Sequence, residues 1–315
     1  MNEINVCFLT DDGYAMPTCI AMKSMLDNKN KNTKYNIYIL STSLSEHNTV
    51  KFKELNSVDF EVKIVNLEDK YKDFYMNGVS ASPTAIYKFS IPEILSDLDK
   101  VIYLDGDIIV NSDLLELYNY KIGKNYIGAV KDINGALKRH YKAFIKKGIF
   151  YFNSGVMIMN LKQMRKDKIT EKLIDYRLNG YNELMDQDAL NYVLRNKTCE
   201  LPFKYNTQTM ITAINKKAPE LKKFIEIPKD SKNYDDIINN SLILHYSLKN
   251  KPWKSQNGYK FDKWLYYYYQ SPFGNTPIDR EKKNIKKSKG LYARIQAFKK
   301  NGRRLRFFKK FKSVK

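Results

Sequence analysis

The sequence predicts an α/β fold built on a mostly parallel central sheet flanked by helices. Two observations carry that expectation. Over the first 110 residues, strand-like apolar runs alternate with helix-like segments of about ten residues, the pattern of βαβ units. The run VIYL (Val101–Leu104) is apolar without alternation, as strands covered on both faces are. In such sheets ligands bind beyond the carboxyl ends of the strands. Two acidic clusters fall at such ends: Asp11-Asp12 after the first run and Asp105-Gly106-Asp107 after the fourth.

The elements follow in order. Ile4–Leu9 is an apolar run ending in Thr-Asp-Asp-Gly, and Pro17–Leu26 places Ile20, Met22, Met25 and Leu26 at helical spacing. Tyr35–Leu40 reads as a strand, Ser45–Leu55 as a helix, and Phe60–Leu67 as a strand in which Val62 and Ile64 alternate with charged residues. Thr84–Leu95 reads as a helix despite Pro92, and Val101–Leu104 as the fourth strand. Further strands are expected over Tyr126–Val130 and Ile149–Leu161, helices over Gln163–Leu178 and Asp188–Leu194, and a short buried strand over Leu242–Tyr246. From about Gln270 the chain has linker composition, with Ser-Pro, Gly-Asn and Thr-Pro. The expected division is a globular domain over 1–269 and a linker with a basic tail over 270–315.

A chain of 315 residues that is 43% hydrophobic, with 24 Tyr and 16 Phe, carries enough apolar surface for a packed core, which excludes a disordered class. The three cysteines lack any CxxC spacing, against a disulfide framework or a structural zinc site and in favour of a reducing compartment. The start, MNEINVCFLTDD, has neither the basic nor the apolar region of a secretory leader. No apolar run approaches the ~18 residues of a spanning helix. The net charge of +21 is uneven: Arg280–Lys315 holds 16 Lys and Arg against one acid, Glu281, so it carries +15 and the other 279 residues +6.

Four stretches bear chemistry. Asp105 and Asp107, two residues apart in an extended segment, point to the same side and can address one hard divalent cation. Asp-Gly between apolar runs is also a hairpin signal, although VIYL lacks the alternation a hairpin strand shows. In LTDDGY (Leu9–Tyr14) an acid can accept from a ribose or base, or close an Asx turn at a helix start. No GxGxxG or GxxxxGK[ST] occurs, so neither a dinucleotide fold nor a P-loop is supported. In LILHYSLKNKPW, His245 is a core histidine or a ligand, and Lys251 suits a phosphate oxygen. One imidazole with two carboxylates suits Mn²⁺ or Mg²⁺ in an octahedral site. Asn153 and Ser154 interrupt an apolar strand, while Asp186, Gln187 and Asp188 open a helix, either as caps or as the lining of a sugar pocket.

Taken together, these stretches resemble the family 8 retaining glycosyltransferases, which include bacterial lipooligosaccharide galactosyl- and glucosyltransferases and glycogenin. The resemblance runs from about Asn5 to Trp253 through TDDGY, CIAMKSM, IYKFSIPEIL, VIYLDGDIIV, YFNSGVMIMNL, DQDALN and HYSLKNKPW, in that order. It implies a GT-A fold, with a nucleotide-binding half fused to an acceptor-binding half. It implies that Asp105 and Asp107 form the family's DxD motif and that His245 is the third ligand to Mn²⁺ (or Mg²⁺). Asp11, Gly13 and Tyr14 match positions contacting the uridine, Lys251 the lysine on the diphosphate and Lys88 a position near the diphosphate and sugar, with Leu9 and Gly106 also expected to bind the UDP-sugar donor. Asn153, Ser154, Asp186 and Gln187 match residues around the donor sugar, with Asp188 in the same motif. The implied catalytic group is thus Asp186, Gln187 and Asp188. Gly13 replaces a more usual side-chain-bearing residue, Lys88 a common arginine, and Leu248 a common glycine.

The implied activity is transfer of a galactose or glucose from a UDP-hexose to a saccharide or glycolipid acceptor, with retention. Gln187 is a poor nucleophile, so front-face attack is expected rather than a covalent intermediate. A sugar-phosphate nucleotidyltransferase would need a Gly-rich basic loop after the first strand, and LTDDGYAMP has no basic residue. A nucleic-acid-binding role would leave DGD, DQD and HYS–KPW without purpose, so no specific nucleic acid is expected. In the tail, Leu291, Ile295 and Phe298 fall on one helical face among basic residues, the pattern of an interfacial helix on anionic lipid, with a solvated basic tail or an RNA- or DNA-binding segment as the alternatives. The expected location is cytoplasmic, attached to the inner face of the cytoplasmic membrane.

Overall fold

The computed structural model describes residues 1–67, 87–133, 151–179, 185–209, 211, 233–247, 251–254 and 260–275. Strand β1 (Asn2–Leu9), helix α1 (Ala15–Asn28) and strand β2 (Thr33–Ser41) form the first βαβ unit, with β1 and β2 parallel. Helix α2 (Glu46–Lys53) leads to β3 (Phe60–Asn66), parallel to β2, and β4 (Lys100–Leu104) lies parallel on the other side of β1. Ser45 caps α2, its hydroxyl accepting from the Asn48 amide at 3.3 Å. Strands β6 (Ile127–Lys131), β7 (Phe152–Asn160) and β8 (Thr198–Glu200) complete a seven-stranded sheet in the order β3-β2-β1-β4-β7-β6-β8. Only β7 runs antiparallel to its neighbours.

The sheet is covered on both faces, which explains the unbroken apolar runs. Along β1, Ile4, Val6 and Phe8 join one core with α1 residues such as Ile20 and Met22, while Cys7 and Leu9 join the other. Along β4, Ile102 and Leu104 face the first core, and Val101 and Tyr103 the second. A second sheet, ordered β5-β10-β9, consists of β5 (Ile108–Val110), β9 (Thr207–Gln208) and β10 (Ile243–His245). Strands β4 and β5 therefore do not form a hairpin. Asp105-Gly106-Asp107 is the step by which the chain leaves one sheet and enters the other.

Several element bounds differ from the sequence reading, each for a local reason. Helix α3 (Ile91–Ile94) carries Pro92 in its first turn and is separated at Ser90 from helical residues 87–89, because proline favours a helix start. The start of the helix read over Thr84–Leu95, before Tyr87, lies outside the described residues. Helix α4 (Leu115–Tyr118) is followed later by α5 (Leu161–Lys166) and α6 (Ile169–Asn179), which replace the single helix read over Gln163–Leu178. Lys168, at φ 53°, breaks the run, and the left-handed region cannot continue a right-handed helix. Asn160 ends β7 and caps α5 by accepting from the Gln163 amide at 3.1 Å, so Leu161 is helical rather than the end of a strand. Helix α7 (Met185–Leu194) takes Asp186 and Gln187 into its first turn instead of starting at Asp188.

The short α8 (Tyr234–Asn239) precedes β10, and α9 (Phe261–Gln270) packs Trp264, Leu265 and Tyr268 into the α1-side core. The Tyr267 hydroxyl accepts from the Asn28 side-chain amide at 2.8 Å. Ser271 and Phe273 are still buried, so the packed unit continues past Gln270. The tail from 276 to 315, and Leu248, lie outside the described residues. Among the described residues no helix is long and apolar enough to cross a membrane.

Candidate active site

The topology brings the site together before any side chain is considered. β1 and β4 are adjacent and parallel, with Phe8 opposite Leu104, so Asp11 and Asp105 emerge at the same edge of the sheet. β7 runs antiparallel to β4, with Leu104 opposite Val156, so its first residues, Asn153 to Gly155, lie at that edge too. The Asp105 amide donates to the Gly155 carbonyl at 2.8 Å. In the small sheet, His245 at the end of β10 pairs with Ile108 at the start of β5.

Asp105, Asp107 and His245 offer three ligand atoms that all lie within 4.8 Å of one another. His245 Nε2 is 3.3 Å from Asp107 Oδ1 and 3.9 Å from Asp105 Oδ2. Asp107 and His245 are only 5% and 3% exposed. Two carboxylates and one imidazole form a donor set that fits Mn²⁺ or Mg²⁺. Gly155 makes the room: a Cβ there would stand 2.4 Å from His245 Cε1 and 2.7 Å from Asp105 Oδ2. The Tyr103 hydroxyl donates to Asp105 Oδ1 at 2.7 Å, while the other oxygen, Oδ2, faces His245. Burial alone would raise the Asp107 pKa, but His245 and the ammonium of Lys251 outweigh it and hold the carboxyl well below its usual range.

Two lysines balance these acids. Lys251 ion-pairs with Asp107 and donates to the Tyr246 carbonyl at 2.7 Å. Lys88 ion-pairs with Asp186, lies 3.6 Å from Asp105 Oδ1 and sits 4.6 Å from the centre of the Tyr103 ring. Burial pulls its pKa down, but Asp105 and Asp186 together hold it above the ordinary lysine value, so Lys88 is a fixed cation. Lys251, predicted on the diphosphate, and Lys88, predicted near the diphosphate and sugar, thus flank the two acids.

The first acidic cluster divides in two. Asp11 Oδ1 accepts from the Tyr14 amide at 2.9 Å, closing the turn into α1, so the Asx-turn reading holds for that oxygen. Asp12 accepts from the Ser45 amide at 2.8 Å and from the Asn48 side chain at 2.7 Å, bracing the start of α2. A Cβ on Gly13 would come within 3.3 Å of Asp11 Oδ1. Tyr14 meets Trp253 edge to face with ring centroids 5.7 Å apart. Burial, then Asp107, Asp105 and Asp11, push its phenol up to about 12. The Leu9 side chain belongs to the core of the sheet's second face. Gly106 packs against α1, where a Cβ would fall 2.2 Å from Thr18 Oγ1, and its φ lies outside the left-handed region.

On the sugar side, Gln187 Oε1 accepts from the Ser154 amide at 3.1 Å and from the Asn153 side chain at 3.4 Å. Gln187 Nε2 donates to Asp132 and, at 3.4 Å, to the Tyr151 hydroxyl. Ser154 Oγ lies 3.3 Å from Asp186 Oδ2 and 3.5 Å from Lys88 Nζ. Asp188 is buried, its Oδ1 accepting from the Tyr151 hydroxyl at 2.5 Å. Asn153, Ser154, Asp186 and Gln187 therefore form one cluster joined to the metal-ligand group through Lys88. Asp188 is tied to Tyr151.

Sequence reading did not single out Gly155, Tyr103, Asp132, Tyr151 or Asn206. Gly155 carried a usable signal, since a glycine inside an apolar strand marks a close approach. Asn206, which meets His245 Nδ1 at 2.9 Å, carried none.

The comparisons agree with this geometry. A family model for glycosyl transferase family 8 matches residues 5–257. General stress protein A of Bacillus subtilis is 28% identical over 282 residues, covering 87% of this chain and 95% of that protein. The lipopolysaccharide 1,2-glucosyltransferase of Escherichia coli K12 is 26% identical over 308 residues, covering 93% of this chain and 85% of that one. The crystal structure of the galactosyltransferase LgtC with donor and acceptor sugar analogues superposes with a TM-score of 0.67 at 25% identity, over 88% of this chain and 98% of that one. The matched residues span the parallel sheet, the two acids stepping off it and the histidine that faces them, and by that match the chain belongs to glycosyltransferase family 8, with the GT-A fold.

Proposed function

We propose that this glycosyltransferase moves a hexose, galactose or glucose, from a UDP-hexose to a saccharide or glycolipid acceptor in the making of a cell-surface glycan, with retention of configuration. The observation that carries the reading is the convergence of Asp105, Asp107 and His245 with Lys251 and Lys88 at the strand ends. The donor and acceptor analogues held by LgtC and the lipopolysaccharide named for the E. coli relative support the substrate classes. A divalent cation, Mn²⁺ or Mg²⁺, held by the two aspartates and the histidine would stabilise the negative charge of the departing diphosphate.

The chain's own residues do the rest. Lys251, already beside Asp107, supplies a second positive charge to a phosphate oxygen. Tyr14 and Trp253, in edge-to-face contact, form an aromatic wall for a uracil ring, and Asp11 stands at its edge. Lys88, Asn153, Ser154 and Asp186 hold sugar hydroxyls from groups whose own hydrogen bonds already fix them. Gln187 presents a neutral amide anchored by the Ser154 N–H, which stabilises positive charge developing at the anomeric carbon without bonding to it. Asp188, engaged by Tyr151, stays behind it. The acceptor hydroxyl then attacks from the face the diphosphate leaves: its oxygen bonds to the anomeric carbon as the bond to the phosphate oxygen breaks, and its proton passes to that departing oxygen.

The test is UDP release from UDP-galactose and UDP-glucose with Mn²⁺, with and without a saccharide acceptor. Asp105→Ala and Asp107→Ala are each expected to abolish release while circular dichroism and thermal melting stay native. Release that survives both substitutions overturns the metal-site reading, and a glycosyl adduct trapped on Asp188 overturns front-face attack.

The basic tail extends the reading to location. Its interleaved aromatic and cationic residues suit an anionic lipid surface, which would hold the enzyme on the inner face of the cytoplasmic membrane, beside a lipid-linked acceptor.

A further inference from the structure

Hydrogen bonds at the centre fix one another's polarity, starting from a backbone group that can only donate. The Gly155 N–H donates to Asn153 Oδ1 at 3.0 Å, which identifies that atom as oxygen. Asn206 approaches the same oxygen at 2.8 Å with Nδ2, so its amide nitrogen faces Asn153 and its Oδ1 faces His245. The partner of Asn206 Oδ1 is His245 Nδ1, at 2.9 Å. An amide oxygen can only accept, so Nδ1 carries the proton. When the ring ligates a cation as the neutral imidazole, its lone pair is therefore on Nε2, the atom directed at Asp107 and Asp105.

We propose that Asn206 is a positioning residue of this active site: it locks His245 with the proton on Nδ1 and Nε2 free to ligate. Through Asn153 it also holds Gln187 in register with the metal centre. The proposal rests on the metal-site reading of Asp105, Asp107 and His245. Backbone pairing places Asn206 for this role. It ends a 3₁₀ turn, Phe203–Asn206, and the next two residues form β9, pairing Thr207 with Leu244 and Gln208 with His245. Asn206 is 0% exposed, and a buried amide is costly unless its polar atoms are paired; here both ends are. Asn153 also donates to Gln187 Oε1 at 3.4 Å, so the two buried amides, Asn206 and Asn153, join the cation side of the site to the sugar side. Groups that orient a ligating histidine through its second nitrogen typically change metal affinity ten- to hundred-fold.

The direct test is a ¹⁵N spectrum of the imidazoles in the full chain with diamagnetic Mg²⁺, which is tractable with only three histidines. The expected result is Nδ1–H with unprotonated Nε2 at His245; an Nε2–H form overturns the proposal and needs no variant. Mn²⁺ titration of variants supplies the second readout. Asn206→Leu is expected to weaken Mn²⁺ binding about ten- to hundred-fold. Asn206→Asp keeps the acceptor for Nδ1–H and should restore Mn²⁺ affinity. It sets an acceptor against Asn153 Oδ1, so turnover should stay at least about tenfold down. A merely structural role would lower both together. Native Mn²⁺ affinity in Asn206→Leu overturns the proposal. His245→Ala separates the two readings: if it binds Mn²⁺ as the parent does, the metal site itself is wrong. If it loses Mn²⁺ while Asn206→Leu keeps it, only the role of Asn206 falls.

Discussion

Gly155 is the position where a single methyl group would reach the most chemistry, touching both the imidazole of His245 and the carboxylate of Asp105. Gly155→Ala is expected to cost about 1–3 kcal/mol of stability through overpacking. It should also lower kcat/KM about a hundred-fold, the usual effect of a misplacement near 1 Å; urea melts and Mn²⁺ titration check the two parts. Asp12 gives a pH-dependent prediction. The Ser45 amide first, then Asn48, hold its carboxyl below its ordinary value of 3.8, so its contribution is present above that value and lost as pH falls through the lower folded one. Asp12→Ala should be less stable than the parent by about 1 kcal/mol or less at neutral pH, given its exposure. Melting curves of the two should converge as pH falls below that ordinary value; a constant gap would refute the account. Asp105, Asp107 and His245 could be read from sequence because their residue types carry metal chemistry. Asp11 and Asp12 could not be told apart, since one type serves a turn and its neighbour a brace. Gly155 left a trace, a glycine inside an apolar strand, but what it approaches and the polarity of the Asn206 amide show only in three dimensions.

Between elements, the telling contact is the step from β4 to β5 against α1. Gly106 allows that step to pass Thr18, whose hydroxyl would stand 2.2 Å from an added Cβ and whose own Cβ would stand at 3.2 Å. Gly106→Ala is expected to destabilise by about 1–3 kcal/mol and to weaken Mn²⁺ binding. Thr18→Ala in that background should recover part of both, although alone it costs the 3.1 Å bond to Thr10. A double mutant no better than Gly106→Ala would place the strain elsewhere. Strands β1, β2 and β4 were legible because their apolar runs reflect burial on both faces, and the edge strand β3 because its residues alternate. That β5 belongs to another sheet was not, since Ile108–Val110 has the same composition whichever partner it takes. The break at Lys168 was hidden too, because apolar spacing continues across it while the backbone turns left-handed. The aromatic helix α9 was not read from the sequence, although Asn257-Gly258 and Ser271-Pro272 punctuate it on both sides.

Over the whole molecule, charge and fold are segregated. The segment from Arg280 to Lys315 carries +15 of the net +21, and among the described residues the core extends as far as Phe273. A chain ending at Asn275 is expected to keep Mn²⁺-dependent UDP release, while the full chain alone co-sediments with vesicles containing anionic lipid and loses them at high salt. Equal sedimentation of the two would remove the membrane from the proposal. The seven-stranded and three-stranded sheets meet at three residues: Asp105 directly follows β4 of one, Asp107 directly precedes β5 of the other, and His245 ends β10, the partner of β5. A cation seated there is a rivet through two plates. Adding Mn²⁺ at about a hundred times its dissociation constant should stabilise the fold by about 2.7 kcal/mol, read as a rise in melting temperature that chelation reverses. Any substitution that lets the plates slide, however far from the substrate, should register first as a looser grip on the ion.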